Sequence, residues 1–246
     1  MQEPNNGQPA VNCLLAAMSD EDRRALDPFL EEVALSRRQA LIEAHSDVGR
    51  AYFVHEGVVS LVTTLKDGPN VETAMIGREG VVGLPLMFNQ ELSPNRAVAQ
   101  APGRAAAIEI AALERAMSDS ETLRKLLGGY SVAFLTQILQ SVACNVVHST
   151  KERFAKWLLS NADRTDGIRI PHTHEFISEL LGVGRPTVSL VARTLRMDKL
   201  IDYRRGGIAI VDRIGLSGVA CECYEVIRDT YERFLPVSFA HPPACH

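Results

Sequence analysis

Between Thr173 and Leu195 the chain reads THEFISELLGVGRPTVSLVARTL, and within it Arg185, Thr187, Ser189 and Arg193 are hydrogen-bonding groups set among apolar residues at helical spacing. Guanidinium groups bracketing small hydroxyls suit contacts to phosphates and to base edges in a major groove. Groups of this kind must be held by rigid elements, and two short helices joined by a tight turn would hold them. Thr173 is placed to cap the first helix, whose inner face would carry Phe176, Ile177, Leu180 and Leu181. Gly182 can take the positive φ of a sharp exit, and Val183 can plug the corner. The second helix opens at Gly184 or Arg185 with Pro186 in its first turn, where a missing N–H costs nothing. Val188, Val191, Ala192 and Leu195 then recur on the buried side. An ordinary helical hairpin shares this spacing, so the stretch alone leaves both readings open.

Other chemistry-bearing residues are more dispersed. The five cysteines (Cys13, Cys144, Cys221, Cys223, Cys245) are too scattered and odd in number for a disulfide framework, as expected of a reducing compartment. Taken as part of one helix from Leu216 to Phe234, Cys221 and Cys223 would point roughly 200° apart, so no metal site is expected there. His172 and His174 form a weak pair, and His45 and His55 lack partners at ligand spacing. No G-x-S-x-G, P-loop or paired catalytic carboxylates are visible, so an enzyme is not expected; one on a cupin-type roll would need a His/Glu metal set. A ligand-gated module that docks on a partner protein through a broad apolar helix, its helix-turn-helix vestigial, is a further alternative. No apolar run is read as a membrane span, and the first residues lack the basic start of a signal peptide; a soluble cytoplasmic protein is the expectation.

The net charge of −4 conceals an asymmetry. Residues 151–213 carry 12 Lys/Arg against 8 Asp/Glu, a net +4, whereas the rest holds 14 against 22. Positive charge therefore gathers around the helical pair, as an electrostatic footprint for DNA would.

Along the 246 residues, positions 1–18 read as a tail, and Ser19 as the cap of a short helix with Leu26, Phe29 and Leu30 on one side. Residues 19–117 otherwise show short alternating runs punctuated by Gly57, Gly68, Gly77, Gly80 and Gly83, the pattern of an antiparallel roll. Ser118 to Glu121 spells a capping box before a long helix ending at His148, with Leu127, Tyr130, Phe134, Ile138, Val142 and Val146 as its stripe and Leu135 and Leu139 widening it. Gly128-Gly129 predicts a break near its start. Ser149 to Glu152 is a second capping box, placing a hinge at His148 to Thr150. Residues 149–213 hold the helical pair and a two-stranded wing with Arg204 and Arg205 at its tip, and residues 214–246 a last helix and tail.

A glycine-punctuated β-roll, a long helix and a winged helix-turn-helix, in that order, resemble the bacterial Crp/Fnr superfamily of transcription regulators. The most specific pieces are YFVHEGVVSLV (Tyr52 to Val62), IGREGVVG (Ile76 to Gly83) and GVGRPTVSLVARTL (Gly182 to Leu195). The resemblance implies an α+β fold: an N-terminal jelly-roll-like β-roll, a long dimerisation helix and a C-terminal winged helix-turn-helix domain. It implies a homodimer that reads a two-fold symmetric DNA operator, an effector in the roll, and RNA polymerase as a partner. Family readers commonly start the recognition helix Ser-Arg-Glu with a further basic residue; here Gly184, Arg185, Pro186 and Leu190 match, so Arg185 remains as guanine reader. Thr173, His174 and Arg193 match backbone contacts, and Arg204 follows on the wing. Cyclic-nucleotide binders of the family use Gly-Glu, Arg-Ser or Arg-Thr, and polar groups on the long helix; the matching residues are Gly83, Leu84, Arg96, Ala97 and Ile138. Leu84 cannot accept a ribose hydroxyl and Ile138 cannot bond a purine edge, so cAMP is not expected and no cofactor is assigned. Iron–sulfur members carry clustered N-terminal cysteines, and only Cys13 lies there. A haem or another small effector stays open.

Overall fold

The computed structural model describes residues 11–47, 49–66, 70–83, 92–165, 169–204, 207–239 and 244–245. The expected turn at Gly68, Leu84, the wing-tip Arg205 and the tail at residues 1–10 lie outside them, as does the side chain of Arg204.

Two four-stranded antiparallel sheets face each other. One has the order β1 (Glu31–Leu35), β8 (Gly103–Glu109), β3 (Arg50–Glu56), β6 (Val81–Val82); the other β2 (Ala40–Ile42), β7 (Arg96–Ala99), β4 (Val59–Thr64), β5 (Asn70–Ile76). β3 and β4 follow each other in the chain yet lie in different sheets, and Gly57 turns the corner between them with φ +91°. A Cβ there would carry the strain of the left-handed region, which glycine avoids. β8 runs between β1 and β3, and its buried Ala105, Ala106 and Ala107 keep that sheet thin.

Residues 11–18, expected as tail, are instead built into the roll. Asn12 is fully buried: its side-chain oxygen caps α1 (Cys13–Ala17) by accepting from Leu14 and Leu15, while its Nδ2 donates to the carbonyls of Val54 and Gly80. His55 Nδ1 accepts from the Asn12 N–H at 2.9 Å, and its Nε2 lies 3.0 Å from Glu32. Cys13 takes part in a disulfide, so the cysteines are not all reduced thiols as expected. Ser19 caps α2 (Asp20–Leu26) as read from sequence, although Phe29 is exposed rather than packed.

Helix α3 (Ile110–Asp119) leads to α4 (Glu121–Val147). The cap of α4 is Ser120, whose hydroxyl accepts from Leu123; Ser118 lies within α3 and bonds back to Glu114, so the expected box two residues earlier does not form. No break occurs at the glycine pair. A Cβ on Gly129 would come within 3.0 Å of the Phe234 carbonyl, so glycine here serves the close approach of the C-terminal helix. By length and composition alone α4 could cross a membrane, which the sequence reading passed over, but one side of it is folded onto the roll. Leu123, Leu127, Tyr130, Ala133, Phe134 and Gln137 are buried there, and Tyr130 donates to the Val81 carbonyl at 3.1 Å.

His148 and Ser149 are extended, and the predicted capping box of Ser149 with Glu152 starts α5 (Thr150–Arg164). After it come β9 (Arg169–Ile170), α6 (His174–Leu181), α7 (Arg185–Met197), β10 (Ile201–Arg204) and β11 (Gly207–Ile210). The wing has three strands rather than two, because β9 pairs with β11. The expected Leu216 to Phe234 helix is in fact two, α8 (Arg213–Val219) and α9 (Cys223–Phe234). Asp212 caps α8 through the Gly215 N–H, and Ala220 leaves it in an extended conformation. α9 then returns along α4, with Tyr231 against Tyr130 at 6.3 Å. The chain closes with β12 (Val237–Ser238) paired to β13 (Ala244–Cys245).

Candidate nucleic-acid interface

The local chemistry of the helical pair is as its sequence dictates. Thr173 accepts from Phe176 N–H at 3.2 Å to cap α6. Gly182 ends that helix with φ +63°, and Gly184 precedes α7 with Pro186 in its first turn. Val188, Ala192 and Leu195 are buried, joining Phe176, Ile177, Leu180, Phe154 and Trp157 in one core. Burial of one face leaves the other to solvent. Arg185, Pro186, Thr187, Leu190 and Arg193 are exposed, and the Arg185 side chain is 68% accessible.

Arg185 Nε lies 3.6 Å from Glu175 on α6, an open ion pair between two exposed groups worth about 0–1 kcal/mol. The guanidinium is thus held near its extended position at little cost to a competing contact. Ser189 faces back across the helical pair: its hydroxyl is 3.0 Å from His174 Nδ1, while His174 Nε2 is 2.8 Å from the Tyr203 hydroxyl on β10. Partial burial, then the nearby Arg185 charge, hold His174 below the ordinary histidine range, so it bridges helix and wing as a neutral ring. Ser189 and His174 are therefore engaged with each other, whereas Arg185, Thr187 and Arg193 face solvent.

Two residues passed over in the sequence complete the surface. Arg196, one turn beyond Ala192, lies 5.6 Å over the Tyr203 ring and bonds Asp202 at 3.0 Å, tying the end of α7 to the wing. Tyr203 links this contact to His174. The basic-aromatic alternation of β10 against the last turn of α7 was the available signal.

The roll positions are arranged otherwise than a phosphate site requires. Arg96 is clamped by Glu43, Nε to Oε2 at 2.8 Å and Nη2 to Oε1 at 3.2 Å, so both prongs of its fork are engaged. Ala97 is fully buried, Ile138 packs against the roll core, and Gly83 turns with φ +101° beside Ala51. The interior beside them is bounded by Leu61, Ile76, Val81 and Phe134.

His172 and His174 do not converge. His172 is buried between Trp157 and Phe176, ring centroids 5.8 and 4.7 Å away, and burial with Arg37 and Arg38 nearby pushes it down to about 4. Cys221 precedes α9 while Cys223 opens it, so the premise that one helix splays the two sulfurs does not hold.

The family description "Cyclic nucleotide-binding domain" matches residues 32–120, and "Crp-like helix-turn-helix domain" matches residues 152–219, in the order and places of the roll and the winged pair. The chain belongs to the Crp/Fnr superfamily. Solved structures of the same fold include FixK2 from Bradyrhizobium japonicum, at 18% identity and TM-score 0.68 over 78% of this chain and 98% of that one. A Crp-family transcriptional regulator from Thermus thermophilus follows at 21% and 0.66, over 78% and 99%. The c-di-GMP-responsive regulator CLP of Xanthomonas campestris aligns at 15% and 0.63 over the same shares. No curated protein matches the chain in sequence. As a Crp/Fnr transcription regulator the chain carries its helix-turn-helix in α6 and α7, inside the matched residues 152–219.

Proposed function

We propose that this Crp/Fnr regulator acts as a homodimer that reads a palindromic operator through the start of α7. The observation that carries the reading is the solvent exposure of Arg185, Thr187 and Arg193 on a helix whose Val188, Ala192 and Leu195 are buried. Arg185 reaches a guanine edge through its two parallel donors. Pro186 offers no donor, and Leu190, 65% exposed, suits a thymine methyl, so direct reading is sparse and backbone contacts carry much of the affinity. In this reading Thr173, Gly184 and Arg193 contact phosphates, and Arg204, at the end of β10, adds a basic residue from the wing.

Pairing through α4 is supported by a second face of that helix. Val132, Leu135, Leu139, Val142 and Val146 are spaced three and four residues apart and are 46%, 55%, 60%, 61% and 82% exposed. An apolar row at a/d spacing on a long helix is the seam of a two-helix coil. A two-fold dimer built on it presents both α7 helices to one side of the duplex, with half-sites roughly 34 Å apart. RNA polymerase contacts belong to this reading as the family's usual outlet.

No cyclic nucleotide is assigned to the roll, because Glu43 occupies the arginine that a phosphate would need. Selection from a random duplex library at fixed salt, with the full chain alone, tests the proposal. An enriched inverted repeat with unchanged enrichment on adding cAMP is expected. Failure to enrich any inverted repeat would contradict it.

A further inference from the structure

The end of α4 and the start of α9 bring four ligand-type side chains to one point. Cys144, in the last turn of α4, and His148, the extended residue just past its end, are four residues apart. Cys221 lies in the link after α8, and Cys223 is the first residue of α9. The four ligating atoms all lie within 4.8 Å of one another. Cys144 Sγ is 3.5 Å from Cys221 Sγ, and Cys223 Sγ is 3.6 Å from His148 Nδ1. A tetrahedral ion with metal–sulfur bonds of about 2.3 Å separates its ligands by about 3.8 Å, so these atoms already enclose the volume of one ion. The three cysteines are free thiols, 1%, 4% and 1% exposed, and form a cluster apart from the two main cores.

The surroundings match as well. His148 Nε2 is 3.1 Å from Glu222 Oε2, so a carboxylate orients the imidazole with Nδ1 turned to the sulfurs, as carboxylates do behind metal-bound histidines. Lys156 lies beside Cys144 and offsets the surplus negative charge of three thiolates around a divalent ion.

We propose that Cys144, His148, Cys221 and Cys223 form a closed Cys3His site for a single thiophilic divalent ion, with Zn2+ as its natural occupant. Four protein ligands leave no open position, so the ion is structural. It ties the end of α4 to α9 at the extended residues His148 and Ser149, where the long helix hands over to the DNA-binding domain, and so sets the angle of that hinge. The breadth of the site suits one ion rather than a polynuclear cluster.

The test is an anaerobic titration of the reduced, chelator-stripped full chain with Co2+ and then Zn2+. One Co2+ per chain is expected, with thiolate-to-cobalt charge-transfer bands and the strong visible bands of a tetrahedral ion, discharged by one equivalent of Zn2+. Zn2+ should also shield three thiols from alkylation. Glu222→Gln should keep the stoichiometry and weaken Zn2+ binding by about 10- to 100-fold. Weak octahedral Co2+ bands, three thiols equally reactive with and without Zn2+, or a Cys144–Cys221 disulfide forming despite bound Zn2+ would each overturn the site. No DNA enters the measurement, so its outcome is independent of operator reading.

Discussion

At the scale of single residues, exposure decides which groups recognise and which position. Arg185 is tethered by an open contact to Glu175, so Arg185→Ala should leave folding intact and cost ~1–3 kcal/mol of operator binding, relaxing preference at one base pair per half-site. Competition binding on single-base variants of the operator checks this, and an equal loss on every sequence would reassign the residue to phosphate. Glu72 shows the opposite situation. Its carboxylate accepts from Ser60, Gln100 and Trp157 at 2.5, 2.7 and 3.0 Å where the roll meets α5, and burial pushes it up to about 7, against the lowering effect of the Ser60 and Trp157 bonds and of Lys156 and Arg164. A raised folded value means that this contact contributes fully below the ordinary 4.5 and is lost as pH rises through about 7. His172 has the reverse sign: its contribution is present above the ordinary 6.5 and is lost as pH falls through about 4. Glu72→Gln should therefore flatten the decline of melting temperature between about pH 4.5 and 7. A pH profile identical to that of the parent chain would refute the assignment.

At the scale of elements, what was legible in the sequence was local. Thr173, Gly182, Pro186 and the Ser149–Glu152 box act within a turn or two of themselves, so their residue types already state the conformation. The two faces of α4 were not separable in that way. Leu127, Tyr130 and Phe134 on the buried side and Leu135, Leu139 and Val142 on the open side are equally apolar, and only the packing of the roll and α9 tells them apart. The division of the Leu216 to Phe234 segment was hidden for a similar reason, since its apolar residues keep helical spacing across the interruption at Ala220 to Glu222. Cys144 and His148 did carry a signal, two ligand types four apart, but their partners lie more than seventy residues away. The open seam yields a direct prediction. Each large side chain on it gains about 1.5–3 kcal/mol when buried by a second copy, so Leu139→Glu should turn the proposed dimer into a folded monomer with greatly weakened operator binding. Sedimentation equilibrium reads the mass, and an unchanged dimer would move the interface elsewhere.

At the scale of the whole molecule, the DNA-binding domain is locked to the roll through buried charge. Arg164 on α5 donates to Glu79 at 2.7 Å with side chains only 3% and 1% exposed, and to Gln137 of α4 at 3.2 Å, while Gln137 donates to the Met75 carbonyl at 3.0 Å. Glu79→Ala would strand a buried guanidinium, and a loss of ~3–5 kcal/mol in urea unfolding is expected; a loss under 1 kcal/mol would show that the pair is solvated. The roll, α4 and the helix-turn-helix domain thus form one connected path of buried contacts. The geometry of the bound dimer decides whether that path ends where proposed. Hydroxyl-radical footprinting of the full chain on its selected duplex should show two protected windows on one face, centred roughly one helical turn, or 34 Å, apart and symmetric about the repeat. A single window, or two windows on opposite faces of the duplex, would contradict the account.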